Sequence, residues 1–379
     1  MKYVQINAFS YGSTGRLMFQ RHAHLTDDGI ESYVCWARGR DAEGDHEYKI
    51  GTKADVYAHV LYSRMTDRVG FGSKIATIKL VNWLRDLKPD VVHLHVLHGY
   101  YLNLEILFSW LRESDCQIVW TLHDCWAFTG HCAHFIRAKC DQWKSACGEK
   151  GHCPQLREYP KTYCRNGYKQ NYIDKKRIFT SIPRERMTLV VPSHWLERLV
   201  QDSYLNKYTV RVEPNEVDTS QFKFTQSDFK KSNGIDGKFM VLGVASPWTK
   251  QKGLDDFIRL ARDLDEDYSI VMVGVSPRQR RKIPNRIHCV PRTSSTKELA
   301  EIYSAADLFV NPSLEETFSM TVAEAQACGT EVLVRRGTAC EEVANPRLCH
   351  VAGWTYESLL LSIRQCKESF TKSDSHRHK

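Results

Sequence analysis

The sequence predicts an α/β protein of two doubly wound domains, each a parallel sheet covered by helices, with a ligand cleft between them. Three observations carry this. Short apolar runs alternate with amphipathic helical patterns from one end of the chain to the other. One polar stretch, DTSQFKFTQSDFKKSNGIDGK at 218–238, interrupts that alternation. At 379 residues the chain is too long for one compact core, so the interruption reads as a boundary between two.

Taken in order, YVQINAF, SYVCWAR, DVVHLHV, QIVWTLHD, MTLVVPS and YTVRVEPN read as strands. GRLMFQRHAHL, LNLEILFSWLRES and HWLERLVQDS read as the amphipathic helices between them. Beyond the polar stretch the alternation restarts with strands FMVLGVAS, YSIVMVGV, DLFVNPS and EVLVRR and helices GLDDFIRLARDL, TKELAEIYSAA and TVAEAQACG. The expected domains are 1–216, with a cysteine-rich insertion at 125–160, and 217–360; residues 361–379 form a C-terminal helix and a disordered tail, KSDSHRHK. Parallel sheets hold ligands outside the carboxyl ends of their strands, which is why a cleft between two such domains is expected to bind one.

Composition narrows the function. With 42% hydrophobic and 26% charged residues the chain is an ordinary globular one. No run approaches the length of a membrane span, and MKYVQINAFSYG enters a strand-like alternation without the apolar core of a signal peptide. A cytoplasmic location is the expectation. Thirteen cysteines without an export signal argue for reduced thiols or metal ligands over a disulfide framework. A net charge of +8 suits an anionic partner. The lack of an RNP-like aromatic or helix-turn-helix pattern disfavours nucleic acid as that partner.

The chemistry concentrates in DLFVNPSLEETFSMTVAEAQACGT. A strand ends near Asn311, a loop carries Glu315 and Glu316, and a helix opens around Met320 to Thr321. The backbone N–H groups of Phe318, Ser319, Met320 and Thr321 then stand at the positive end of a helix dipole, which favours phosphate. SPWTKQKG adds Lys250 and Lys252 at the mouth of another helix. Helix amides and two ammonium groups suit the diphosphate of a nucleotide-sugar, neutralising its leaving-group charge without a metal. Glu316 and Glu324 flank the helix start with seven residues between them. The structural alternative is a capping box of Thr321 and Glu324, with Glu316 a solvated loop carboxylate.

The segment PSLEETFSMTVAEAQACGT resembles the signature of the retaining nucleotide-sugar glycosyltransferases of family 4, with its E-x7-E pair on the GT-B fold of two Rossmann-like domains. YGSTGR, DVVHLH, TLHDCWAFTG, VVPSHWLERLV, EPNEVDTSQF, WTKQKGLDDFI and IYSAADLFVNPS follow the family's order and extend the resemblance over nearly the whole chain. It is greatest to bacterial enzymes that build capsule, exopolysaccharide or O-antigen units. The resemblance implies a UDP- or GDP-sugar donor, a saccharide or lipid-linked acceptor, and no cofactor for catalysis. It implies retention by front-face attack, the leaving phosphate taking the acceptor's proton. It places Glu316 by the donor sugar, Glu324 on the ribose and His123 on the sugar's C6 hydroxyl. Glu316, His123 and Lys252 are thus the expected catalytic residues, and Lys250, Lys252, Phe318, Ser319, Met320, Thr321 and Glu324 the donor site. Thr317 and Ser319 stand where the family commonly has glycines, Thr321 where it has proline, and Lys250 close to a common arginine. The sugar pocket is therefore expected to be narrower or richer in hydroxyls.

In the first domain, Gly12, Ser13, Thr14, Gly15 and Arg16 of YGSTGR are expected to meet the acceptor. His93, His95 and His98 of HLHVLHGYY match no metal motif and are expected as cleft wall. Cys132, Cys140, Cys147 and Cys153 lie in an insertion with no core-forming apolar pattern. A structural zinc on their thiolates is one expectation, and free reduced thiols the other. YKQNYIDKKRIFTSIPRERM is expected to make reversible contact with the cytoplasmic membrane face. Lys169, Lys175, Lys176, Arg177, Arg184 and Arg186 would meet lipid charge, with Tyr172, Ile173, Ile178 and Phe179 entering the interface. Its alternative is a helix with one core face and one solvated basic face. The competing functions are a GT-B isomerase of the nucleotide-sugar 2-epimerase type and a non-catalytic nucleotide-sugar binding protein.

Overall fold

A computed structural model describes the backbone of residues 1–377 and the side chains of residues 1–370. The chain divides into two units, Met1–Pro214 and Asn215–Lys379. The first is built on β1 (Lys2–Phe9), β2 (Glu31–Arg38), β3 (Glu47–Lys49), β4 (Val91–Leu94), β5 (Gln117–Thr121), β6 (Met187–Val191) and β7 (Thr209–Val212). These pair in the order β3-β2-β1-β4-β5-β6-β7, every neighbouring pair parallel. Helices α1 (Gly12–Asp27), α2 (Lys53–Thr66), α3 (Lys74–Leu87), α4 (Leu104–Glu113), α5 (Gly167–Phe179) and α6 (His194–Gln201) connect them. The strand order reverses between β1 and β4, so the ligand-accepting edge is where these two strands end.

The second unit repeats the plan. Strands β8 (Phe239–Val244), β9 (Tyr268–Val273), β10 (Ile287–Val290), β11 (Leu308–Asn311), β12 (Val332–Arg335) and β13 (Cys349–Ala352) form a parallel sheet in the order β10-β9-β8-β11-β12-β13. Helices α7 (Phe229–Ser232), α8 (Leu254–Asp263), α9 (Pro277–Arg280), α10 (Thr296–Ala305), α11 (Met320–Ala327), α12 (Ala339–Val343) and α13 (Tyr356–Arg377) complete it. Strand alternation sorts its core into two layers: Val241, Ile270, Met272, Val310 and Leu333 face α8 and α13, while Met240, Leu242, Val271, Phe309 and Val334 face α10 and α11. Two Rossmann-like parallel-sheet domains are therefore the fold. The tail read as disordered is helical from Lys372 through Arg377, and its last two residues lie outside the described residues.

Helix α5 corrects the expected membrane-facing stretch. It buries Tyr172, Ile178, Phe179 and the Lys175 side chain, leaving only Ile173 of the named apolar residues outside. The Lys175 ammonium donates to the Trp126 carbonyl and lies 3.7 Å from the centre of the Trp126 ring. Arg177 is engaged by Glu105 through two hydrogen bonds of 2.9 and 2.6 Å. The apolar groups that would enter a bilayer are core, so this helix is an amphipathic scaffold element. Among the described residues no helix is long and apolar enough to cross a membrane.

Candidate active site

In the second unit the strand order reverses between β8 and β11, and the two loops that carry the expected donor residues follow these strands. Trp248 fixes the first loop: its indole N–H donates to the Val273 carbonyl at 2.8 Å, and Gln279 Nε2 donates to the Trp248 carbonyl at 2.6 Å. Gly253 joins this loop to the second. Its φ is 78°, and a β-carbon there would lie 2.1 Å from Pro312 Cγ, so only glycine lets the loops touch.

The contact brings together Lys252 and Glu316, whose ammonium and carboxylate form an ion pair. Burial works against the Lys252 charge, but the Glu316 carboxylate outweighs it and raises the lysine's pKa; the ammonium persists at neutral pH. Lys250 is more exposed and lies 3.8 Å from Asp255, a weaker surface pairing. Helix α11 opens at Met320 behind Ser319, which is left-handed with φ of 74°. The Asn311 amide donates to Ser319 Oγ at 2.8 Å, and Thr321 Oγ1 lies 3.3 Å from the same oxygen. The N-cap position is Ser319, whose side chain makes no cap hydrogen bond, and Thr321 lies inside the helix, so the capping box of Thr321 and Glu324 does not form. Glu324 lies buried one turn on, accepting the Tyr303 hydroxyl at 3.2 Å.

Three residues escaped the sequence reading. Tyr303 holds Glu324, and the buried Cys340 thiol stands near Glu316 and Lys252, pushed up to about 12 by burial and then by Glu316. Arg335 is the third. Its buried guanidinium donates at 2.6 Å to the carbonyls of Gly353 and Thr355 and at 3.2 Å to Asp256, tying α8 to the strand-end loops. Cys340 and Arg335 sit in no motif and Tyr303 lies within IYSAADLFVNPS; each acts through a partner distant in sequence.

In the first unit the expected acceptor residues open α1 directly after β1. Gly15 packs against the preceding turn so closely that a β-carbon would lie 2.6 Å from the Ser10 carbonyl carbon. Asn7 Nδ2 donates to Thr14 Oγ1 at 3.4 Å, whereas Gly12, Ser13 and Arg16 are exposed. Beyond β4 and β5 the histidines form hydrogen-bonded chains. His95 Nδ1 lies 3.1 Å from His123 Nε2, and His95 Nε2 lies 3.3 Å from Gln5 Oε1. His93 bridges the Tyr3 hydroxyl at 2.9 Å and Thr121 Oγ1 at 2.7 Å. Burial lowers His93 and His95 well below the ordinary imidazole value and His123 to about 4, so all three are neutral at pH 7. His98 Nε2 pairs with Asp124 at 2.7 Å, and its Nδ1 meets the Tyr159 hydroxyl at 2.9 Å. For Asp124, burial opposes ionisation, but His98 and the Trp126 N–H together hold it down at about 2.

The cysteine insertion departs from the zinc expectation. Among the described residues no group of three or more His, Cys, Asp or Glu side chains is placed to hold a metal ion, and Cys132, Cys140, Cys147 and Cys153 form no disulfide. Cys132 is buried, and burial pushes Cys147 up to about 11 and Cys153 up to about 12, keeping both protonated. Packing holds the loop. Trp143 stacks on Phe135 at 4.8 Å between ring centres and tilts against Phe128 at 5.2 Å, while the Tyr172 hydroxyl donates to the Ser145 carbonyl at 2.8 Å.

Residues 14–221 match the profile of Glycosyltransferase Family 4, and residues 225–365 match that of Glycosyl transferases group 1. The chain belongs to glycosyltransferase family 4. Among curated proteins, this family 4 chain is 27% identical over 173 residues to WcaC of Escherichia coli (strain K12), named as a candidate colanic acid biosynthesis glycosyl transferase, covering 42% of this chain and 41% of that one. It is 29% identical over 178 residues to the alpha-galactosylglucosyldiacylglycerol synthase of Streptococcus pneumoniae, covering 43% and 47%. The match thus spans less than half the length of these curated relatives. Solved structures agree in fold: sucrose-phosphate synthase from Thermosynechococcus elongatus has a TM-score of 0.68 at 14% identity, covering 96% of this chain and 89% of that one. Anabaena HepE, solved in complex with UDP-glucose, has a TM-score of 0.62 at 13% identity, covering 98% and 91%.

Proposed function

We propose that the chain is a retaining glycosyltransferase that moves a sugar from a UDP- or GDP-sugar to a saccharide acceptor, carried on lipid, in surface polysaccharide biosynthesis at the cytoplasmic membrane face. The observation that carries this reading is the Lys252–Glu316 pair beside the start of α11, where the N-cap Ser319 side chain makes no cap hydrogen bond. Breaking the bond from an anomeric carbon to a diphosphate develops negative charge on the leaving phosphate and positive charge on the sugar. Lys252 and the amides of Phe318, Ser319, Met320 and Thr321 meet the first, with Lys250 at the outer edge. Glu316 lies along the sugar, and Glu324 takes the ribose hydroxyls. Neutral His123 gives the sugar's C6 hydroxyl a hydrogen bond without a charge. Gly12 to Arg16 line the acceptor. Glu316 is engaged by Lys252 and so is not poised as a nucleophile. Retention then comes from front-face attack, in which the acceptor oxygen bonds to the anomeric carbon as the diphosphate leaves and takes the hydroxyl proton.

Family membership supports the reading, as do curated relatives named for polysaccharide and glycolipid synthesis and a fold neighbour solved with UDP-glucose. The test is a nucleotide-sugar panel screened by thermal shift, followed by NMR of the stabilising donor with and without saccharide acceptors. One donor is expected to raise the melting temperature and to yield a product that keeps its anomeric configuration. An epimerised donor formed without acceptor would replace this function with the isomerase reading, and binding without any turnover would leave a nucleotide-sugar binding protein.

A further inference from the structure

Helix α2 turns Val56, His59 and Ser63 inward and leaves Tyr57, Leu61 and Met65 outward, at exposures of 74, 62 and 67%. Their spacing of four residues lines them along one face. His59 Nδ1 lies 2.8 Å from Ser73 Oγ and its Nε2 accepts the Gly72 N–H at 3.2 Å, which fastens α2 to the start of α3. There Ile75 and Ile78 also point outward. The Tyr163 N–H donates to the Arg64 carbonyl at 2.7 Å, setting that exposed ring at the other end of α2.

The exposed charges on this apolar face are cations; the one carboxylate in α2, Asp55, is half-buried and held in a capping box with Thr52. Lys53, Arg64, Lys74 and Lys79 are exposed and, among the described residues, have no carboxylate partner. From residue 56 through 85 the only carboxylate is Asp67, buried at 2.5 Å from His131 Nδ1. We propose that the α2–α3 face rests reversibly on an anionic phospholipid bilayer, with Leu61, Met65 and Ile75 entering the headgroup boundary and the four cations meeting lipid phosphates. A second copy of the chain fits poorly, because pairing the face with itself sets cation against cation. A soluble anionic polymer would use the cations but not the apolar side chains. The inference rests on the proposed function only for its purpose, reaching a lipid-carried acceptor; lipid binding itself needs neither donor nor acceptor.

The experiment is co-sedimentation of the full chain with phosphatidylcholine vesicles, with and without phosphatidylglycerol, at low and high salt. Binding is expected to require phosphatidylglycerol and to weaken as salt screens the cations. Leu61→Ser with Met65→Ser, and separately Lys74→Glu with Lys79→Glu, are each expected to lower it at least about fivefold. All four positions are exposed, and unchanged thermal melts check that the variants fold. Lys176→Glu with Arg177→Glu on α5 is expected to leave binding as it was. Absent binding at low salt, or binding that either α2–α3 pair leaves intact, overturns the proposal. So does a dimer in sedimentation equilibrium without lipid that Leu61→Ser with Met65→Ser dissolves. If no donor supports transfer while these vesicle results hold, the proposed function falls and the docking face stands.

Discussion

At the switch point of the first unit the polar groups are mainly histidines, bonded to one another, to Gln5 and to Tyr3, with the Asp124 carboxylate paired to His98; at that of the second they are a lysine and a glutamate of opposite charge beside a helix start whose N-cap Ser319 makes no side-chain cap hydrogen bond. One architecture thus carries two electrostatic designs. Buried neutral imidazoles need no counter-ion and suit uncharged hydroxyls. A charge pair beside a helix start can answer a diphosphate. The difference lies in the polar groups each edge carries, because the sheets themselves are alike.

The sharpest test of that contrast is Lys252→Ala, expected to lower transfer by about a thousandfold or more while leaving the melting temperature nearly unchanged. Glu316→Gln is expected to approach the same loss of turnover, measured in the same assay. Near-normal transfer in either variant would remove the charged design from the second unit. In the first unit, Trp143→Ala is expected to cost about 3–5 kcal/mol in urea unfolding, since the ring is buried between Phe128 and Phe135.

The neutral design predicts acid lability. His59 and His123 are held near 4 by burial, so between about pH 6.5 and 4 the unfolded chain binds protons that the folded unit refuses. Stability should therefore fall as pH is lowered through that window, by up to about 1.4 kcal/mol per pH unit for each histidine. Urea unfolding at steps from about pH 7 to 5 measures the slope. His59→Gln should flatten it, and an unchanged slope would break the comparison. Glu324→Gln is a smaller perturbation, expected to weaken donor binding about tenfold by calorimetry with little change in fold. Smallest is Cys140→Ser, expected to shift stability by less than about 0.5 kcal/mol, because packing holds its loop.

The parts legible from sequence were those whose periodicity is strong. The central strands β1, β4, β8, β9 and β11 are buried on both faces and stand out as apolar runs. β3, β10 and β13 were missed because each is a short edge strand, partly exposed and carrying Glu47, His288 or His350 in place of core residues. Helix α2 was missed for the opposite reason. Its outward face mixes the apolar Tyr57, Leu61 and Met65 with the charged Lys53 and Arg64, so no polar face marked its period. In the candidate site, the helix start at Met320 was readable from the loop before it, but the pairing of Lys252 with Glu316, 64 residues away, is a product of topology. In the cysteine insertion, Phe135 and Trp143 form a local core that their irregular spacing hides.

The contact of Gly253 with Pro312 has an evolutionary consequence. With no room for a β-carbon against that ring, position 253 cannot take a side chain while 312 keeps its proline. A lineage that gained a side chain at 253 would first have to shed the proline at 312, and one that enlarged 312 would have to keep the glycine. A side chain at 253 should therefore be found among descendants of this chain only where the proline at 312 has gone.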